Sequence, residues 1–164
     1  MRRILSRREL RTDRWRYPGE SGDGPLVLTL DELLAAAPTA VAAGEAPAAE
    51  AAPVGVRLGP TEEVERLAPF LARVELVILQ FQSVGDGRGY SQAQLLRGRL
   101  GYRGELRAAG AVRRDQLFLL ARCGFDSFDF AAGEDPQAAL AHLETYSVAY
   151  QSAVGNLVRP GLRA

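Results

Sequence analysis

Residues 75–110 read "ELVILQFQSVGDGRGYSQAQLLRGRLGYRGELRAAG", and the reading of this stretch decides the fold. Its first seven residues are near-continuously apolar, as expected of a strand covered on both faces. A glycine-rich turn follows. Ser91 and Gln94 then stand at capping-box spacing, which predicts a helix over 91–101 closed by Gly101 as a left-handed residue. Residues 105–110 read as the next strand. Strand, helix and strand in succession form a βαβ unit, which builds a parallel sheet through a right-handed crossover.

The alternation continues on both sides. "VGVRL" (54–58) is a short apolar strand. "TEEVERLAPFLA" (61–72) predicts a helix capped by Thr61 and kinked at Pro69. "RRDQLFLLARCG" (113–124) predicts a third helix, "FDSFDF" (125–130) a fourth strand, and Asp135–Pro136 the start of a last helix running to about Ala153. The expectation is an α/β fold with a parallel sheet of about four βα units, either half-TIM-barrel-like or an open, doubly wound sheet. A complete barrel needs about 250 residues. Ahead of these units, "RWRY" (14–17) and "LVLTL" (26–30) flank "PGESGDGP" and predict an N-terminal β-hairpin, followed by a helix from Asp31. The hairpin would cover a sheet edge or pair two copies in a homodimer.

The chain thus divides into a basic hairpin and helix (1–39), an Ala/Pro-rich linker (40–53), a βα core (54–153) and a disordered tail (154–164). The linker, "AVAAGEAPAAEAAP", has no large side chain to bury. Residues 1–16 hold seven arginines against Glu9 and Asp13. Such a run reads as an edge strand with outward charges more readily than as a polyanion-binding arm.

Composition excludes several chemistries. All 20 basic residues are arginine, balanced by 20 acids. Without lysine there is no Schiff base and no Walker A loop, and zero net charge gives no signal for nucleic acid. Cys123 and His142 are the single cysteine and histidine. They are too few for an internal disulfide, a zinc site or an iron–sulfur cluster, so no metal and no cofactor is expected. No apolar run reaches the roughly eighteen residues of a membrane span, and the expected location is the cytoplasm.

The glycines do not fit a dinucleotide fingerprint. Counting from Gly85 the third glycine falls on Tyr90, and counting from Gly87 it falls on Gln92. Their expected role is to permit sharp backbone angles while Asp86 caps the turn. A looser anion site remains, with Ser91 and neighbouring amides at a helix start beside Arg88. Alternation puts Glu105 and Arg107 on one face of their strand. A buried arginine there needs a partner, for which Asp86, Glu105 and Asp115 are candidates, unless it offers its fork to an anionic ligand. Asp86, Arg88, Tyr90, Ser91, Arg107, Asp115 and Gln116 therefore form the candidate ligand-binding set. No catalytic residue is assigned. Cys123, at a helix C-terminus, is expected to be a packed core thiol.

The run "DGRGYSQAQLLRGRLGYRGELRAAGAVRRDQLFLLARCGFDSFDF" resembles a bacterial family of domains of unknown function, family 934. The matching blocks are Asp86–Ser91, Gly104–Ala108, Asp115–Gln116 and Arg122–Asp126. Where that family usually has Phe-Pro-x-Phe before the aspartate, this chain has "FQSVGD". The resemblance implies a genetic setting beside assimilatory sulfite reductase genes and an oxidoreductase label, with no catalytic residues to carry over. It implies an accessory protein of sulfite reduction, partnered by sulfite reductase or another sulfur-assimilation protein. The residues themselves leave a second reading, an enzyme acting on an anionic or phosphorylated small molecule at the strand C-terminal loops.

Overall fold

The computed structural model describes residues 3–6, 9–36 and 53–144. The tail at 154–164, the linker at 40–53 except Pro53, and the end of the last helix near Ala153 lie outside the described residues. The elements in chain order are β1 (Arg3–Ser6), β2 (Glu9–Thr12), β3 (Val27–Thr29), α1 (Leu30–Ala36), β4 (Val54–Leu58) and β5 (Val74–Phe81). Then come α2 (Arg88–Gln94), β6 (Glu105–Gly110), α3 (Leu117–Arg122), β7 (Ser127–Asp129) and α4 (Pro136–Glu144).

One seven-stranded sheet runs in the order β2-β1-β7-β6-β5-β4-β3. Strands β3 to β7 are parallel neighbours in sequence order, and β1 and β2 add an antiparallel hairpin beside β7. Right-handed crossovers between sequential neighbours all lie on one face. The core obeys this rule. Leu33, Leu67, Phe70, Ala93, Leu96, Leu117, Leu120 and Ala139 from the helical segments pack in one cluster with Val56, Val77, Leu79, Leu106 and Phe128 from the strands. The sheet is open, with β2 and β3 at its edges. Among the described residues no helix packs on the second face, as a doubly wound sheet would require.

Among the described residues the other face carries no helix. Trp15 lies across it, packed with Val27, Leu76, Ile78 and Ala109, and Tyr17 rests beside them. Trp15 fits because Gly55 has no side chain; a Cβ there would stand 3.0 Å from the indole.

Several predicted elements move. The hairpin exists, but its strands are β1 and β2, whereas Arg16 makes only an isolated parallel bridge to Leu26 and β3 pairs in parallel with β4. The arginine-rich start is indeed an edge strand with outward charges, for Glu9 and Arg11 of β2 are exposed and paired at 2.6 Å. Helix α1 starts at Leu30, one residue before the expected Asp31. Thr29 Oγ1 accepts from the Glu32 amide at 3.3 Å while the Thr29 amide donates to Glu32 Oε2 at 2.8 Å, a reciprocal cap. The predicted helix at 61–72 is a 3₁₀ turn over Val64–Phe70, entered from Glu63 and not Thr61, with Pro69 inside.

Helix α2 starts three residues before Ser91, and residues Leu95–Arg99 continue it as a π turn. No Ser91–Gln94 capping box forms; the chain enters through Gly87. The earlier start depends on Gly89, where a Cβ would lie 2.5 Å from the Phe81 ring. Gly101 does adopt the left-handed conformation, at φ 65°.

Candidate functional site

Arg107 sits mid-strand in β6 on the face without helices, 1% exposed in its side chain. Nη1 donates to Asp13 Oδ2 at 2.7 Å and to the Tyr17 hydroxyl at 2.8 Å. Nη2 donates to Glu105 Oε1 at 2.7 Å, and Nε reaches Glu105 Oε1 and Ser127 Oγ, each at 3.2 Å. Tyr17 in turn donates to Asp13 Oδ2 at 2.9 Å. Burial opposes the charge on Arg107, but Glu105, Tyr17 and Asp13 outweigh it and raise its pKa, so the guanidinium stays charged. Of the expected partners Glu105 is present; Asp86 and Asp115 are not. Asp13, 94 residues away in sequence, was not among the candidates.

The glycine loop lies on the opposite side, where β5 leads into α2. Asp86 is buried. Its carboxylate accepts from Arg88 Nε at 2.9 Å, from Arg88 Nη2 at 3.0 Å and from the Arg88 amide at 3.1 Å. These bonds, the guanidinium first and the amide second, hold the Asp86 carboxyl below its usual range. Asp86 therefore caps the turn, as expected. Gln116 Nε2 donates to the Val84 carbonyl at 2.8 Å and reaches the Tyr90 hydroxyl at 3.5 Å. Gln116 thus ties the start of the third helical segment to this loop. Ser91 and Asp115 are exposed.

The structure joins Asp86 to Arg88 and Tyr90 to Gln116. Among the described residues no hydrogen bond or ion pair links Arg107 to any of them. Buried Cys123, near Tyr90, has a thiol pKa pushed up by burial, which makes it a poor nucleophile. The side chain of His142 lies outside the described residues. Among the described residues no group of three or more His, Cys, Asp or Glu could hold a metal ion, and no helix is long and apolar enough to cross a membrane.

A second arginine network staples the amino ends of β6 and β7. Arg97 donates to the carbonyls of Tyr102, Gly104 and Gly124 at 2.8, 2.9 and 3.0 Å and pairs with Asp126. Asp126 also accepts from the Leu106 amide at 3.0 Å. Every donor in this set ends on the protein itself, which makes it structural.

Sequence reasoning missed a cavity at the carboxyl edge of the parallel strands, on the face without helices. It measures about 550 Å³, and its lining includes Tyr17, Glu20, Arg57, Gln80, Ala109 and Asp129. Strand register explains the space. Gln80 of β5 and Asp129 of β7 flank Ala109 of β6 in one row, and the alanine leaves the floor unfilled. At the next residue, Gly110, φ is 96° and a Cβ would meet the Phe81 carbonyl at 2.5 Å, so no larger side chain can close the space there.

Arg57 and Gln80 are both half-buried, and neither side chain has a hydrogen bond or ion pair among the described residues. The charge of Arg57 does reach Glu32. Its effect adds last to the lowering of the Glu32 carboxyl, after hydrogen bonds from the Thr29 amide and hydroxyl. Glu20 accepts from the Tyr17 amide at 3.1 Å through one oxygen. The carboxyl edge of a parallel sheet is where α/β folds bind their ligands. The signal for Arg57 was in its own strand, "VGVRL": an arginine in an otherwise apolar segment.

Comparison with protein families places residues 55–159 in DUF934, described as bacterial protein of unknown function. The chain belongs to this family. No curated protein and no solved structure matches it.

Proposed function

We propose that this chain is a ligand-binding accessory protein of assimilatory sulfite reduction, taking a small anionic molecule at the carboxyl edge of its parallel sheet. The observation that carries the binding half is Arg57. It is a half-buried cation without a hydrogen-bonded or ionic partner among the described residues, beside an equally unengaged Gln80, at a cavity of about 550 Å³. A planar guanidinium with five donors matches the geometry of a carboxylate or other oxyanion. The sulfur setting comes from the family resemblance. One cysteine and one histidine in the whole chain cannot by themselves ligate an iron–sulfur cluster, which takes about four protein ligands. Electron transfer is therefore assigned to the partner, and binding to this protein.

The state of the titratable groups supports binding over acid–base catalysis. A general base at neutral pH works best with a pKa near 7, whereas Asp86 is held low by Arg88 and the Tyr90 hydroxyl is pushed up by burial. Both shifts run away from neutrality. The same argument leaves Asp86, Arg88, Tyr90, Ser91, Asp115 and Gln116 as a folded loop that presents a surface to a partner, and moves the ligand to Arg57.

The test is genetic and site-specific. Deleting the gene should impair growth on sulfate as sole sulfur source, with added cysteine restoring it. The wild-type gene should complement, and Arg57→Gln should not. Normal growth of the deletion strain on sulfate counts against the sulfur role. Full complementation by Arg57→Gln counts against the cavity.

A further inference from the structure

The β2 edge of the sheet carries an inference independent of the ligand proposed above. We infer that β2 pairs with β2 of a second copy of this chain, antiparallel about a two-fold axis through Leu10, so that two sheets join into one.

The backbone supplies the first observation. Strand β2 ends the sheet and pairs only with β1 among the described residues. In an antiparallel ladder, opposite residues alternate between pairs that exchange both hydrogen bonds and pairs that exchange none. Ser6 and Glu9 stand opposite across a two-residue connection, so theirs is a bonded pair. By alternation Ile4 with Arg11 is bonded too, and Leu5 with Leu10 is not. The N–H and C=O of Leu5 turn instead toward β7, where Leu5 stands opposite Phe128. Those of Leu10 turn the other way, out of the sheet edge. Such groups are a template for another strand.

The charges select the occupant. Charged residues on an edge usually discourage strand addition. Strand β2, however, reads Glu9-Leu10-Arg11-Thr12, with one charge of each sign placed symmetrically about Leu10. A two-fold axis perpendicular to the sheet keeps the helices of both copies on one side, and only residues of the same face then stand opposite. Centring the pair on Glu9 or on Arg11 sets like charges against each other at the axis. Centring on Thr12 would draw in Asp13, which is bonded to Arg107. Centring on Leu10 sets Glu9 of each copy against Arg11 of the other, in non-bonded pairs where side chains approach most closely.

The side chains fit that register. Glu9 and Arg11 are 66% and 56% exposed, so both are open to a facing strand. Leu10 is half-buried and packs against the core. At the axis it meets Leu10 of the second copy, and the apolar layer continues across the joint. The contact is isologous and closes at two copies. The opposite edge is less suited, because β3 has three residues and the Arg16–Leu26 bridge lies at its start.

The experiment uses the full chain. Sedimentation velocity over a concentration series should give a species of twice the 17.7 kDa chain mass. Glu9→Arg and Arg11→Glu each set like charges opposite at two places. Each should raise the dimer dissociation constant at least about tenfold, or about 1.4 kcal/mol, with the circular dichroism spectrum unchanged. Mixing these two variants should restore a dimer with one copy of each, because every facing pair is again opposite in sign. Thr12→Pro should also weaken the dimer. It removes an N–H that points out of the edge, since Thr12 opposite Arg3 is a non-bonded pair.

A monomer at the highest concentration reached overturns the inference, as does a dimer that both charge reversals leave intact. If the two variants dissociate and their mixture stays monomeric, the Leu10-centred register is wrong and the inference falls with it.

Discussion

Arg57 and Arg107 stand in the same row on the same face of the same sheet, with Ile78 between them in register. They have opposite fates. Arg107 is enclosed by Asp13, Tyr17, Glu105 and Ser127, its fork engaged on both sides. Arg57 has no such partners among the described residues. The difference lies in what crosses the sheet above them. The segment Asp13–Tyr17 crosses the sheet with Trp15 packed on β3 to β6 and supplies acceptors to Arg107; Arg57 lines the cavity beyond it, with Tyr17, Glu20 and Asp129. A covered arginine is part of the fold. Arg57, which lines the cavity, is the one to which the proposed function assigns a ligand.

The largest way to break this contrast is to remove the covered arginine. Arg107→Met leaves Asp13, 2% exposed in its side chain, with a buried negative charge and no counter-ion. Removing one partner of a buried pair costs about 3–5 kcal/mol. Urea denaturation should show a loss of that size. A loss below about 0.5 kcal/mol, the scale of an ordinary surface substitution, would mean that this face is solvated surface and that the network contributes little.

The second prediction concerns the helix-covered face, where fit and not charge decides. Gly89→Ala would push a Cβ to within 2.5 Å of the Phe81 ring. Phe81 is itself packed edge-on against Tyr90 at 5.4 Å between ring centroids, so it has little room to yield. Overpacking of this kind costs about 1–3 kcal/mol, to be read from the same denaturation curves. A neutral result would show that the ring can turn away, and that the early start of α2 does not need this glycine.

What the sequence reveals about the two faces follows the same division. Strands β4, β5 and β6 are legible because a helix-covered face writes itself as apolar residues at fixed periods, and Gly101 is legible as a helix stop. The glycine loop is legible in part. Asp86 caps the turn as its position implies, but the start of α2 depends on a contact between Gly89 and Phe81 that no local pattern reports. The N-terminal hairpin is misplaced because β1 and β2 are four residues each, and their arginines hide the alternation. On the face without helices the sequence says less. Glu105, two residues from Arg107, is legible as its partner, but Asp13 comes from 94 residues earlier. What distinguishes Arg57 is that its guanidinium has no hydrogen-bonded or ionic partner among the described residues, a property of three-dimensional arrangement with no local pattern to report it.

A smaller effect separates the loop from the network. The Asp86 carboxyl is held below its ordinary value by Arg88. A carboxyl whose pKa is lower folded than unfolded adds stability above the unfolded value, about 3.9, and loses it as pH falls through the folded value. Stability of the wild type minus that of Asp86→Asn should therefore be constant above about pH 4 and shrink on acidification. A difference that does not change across the acid range would mean that the Arg88 pair is not kept in solution.

The smallest expected effect on stability is the most telling for function. Arg57→Gln removes a charge that has no hydrogen-bonded or ionic partner among the described residues, so folding should change by no more than about 0.5 kcal/mol, as for an ordinary surface site. Glutamine keeps an amide donor and much of the stem that packs along the strand, which limits any loss from packing. The change could even be slightly favourable, because a half-buried guanidinium gives up some hydration. A cost approaching that of Arg107→Met would reveal a hidden structural partner and remove the argument for a binding site. A near-zero cost, combined with loss of ligand binding, would separate the two arginines by function as cleanly as their surroundings separate them by structure.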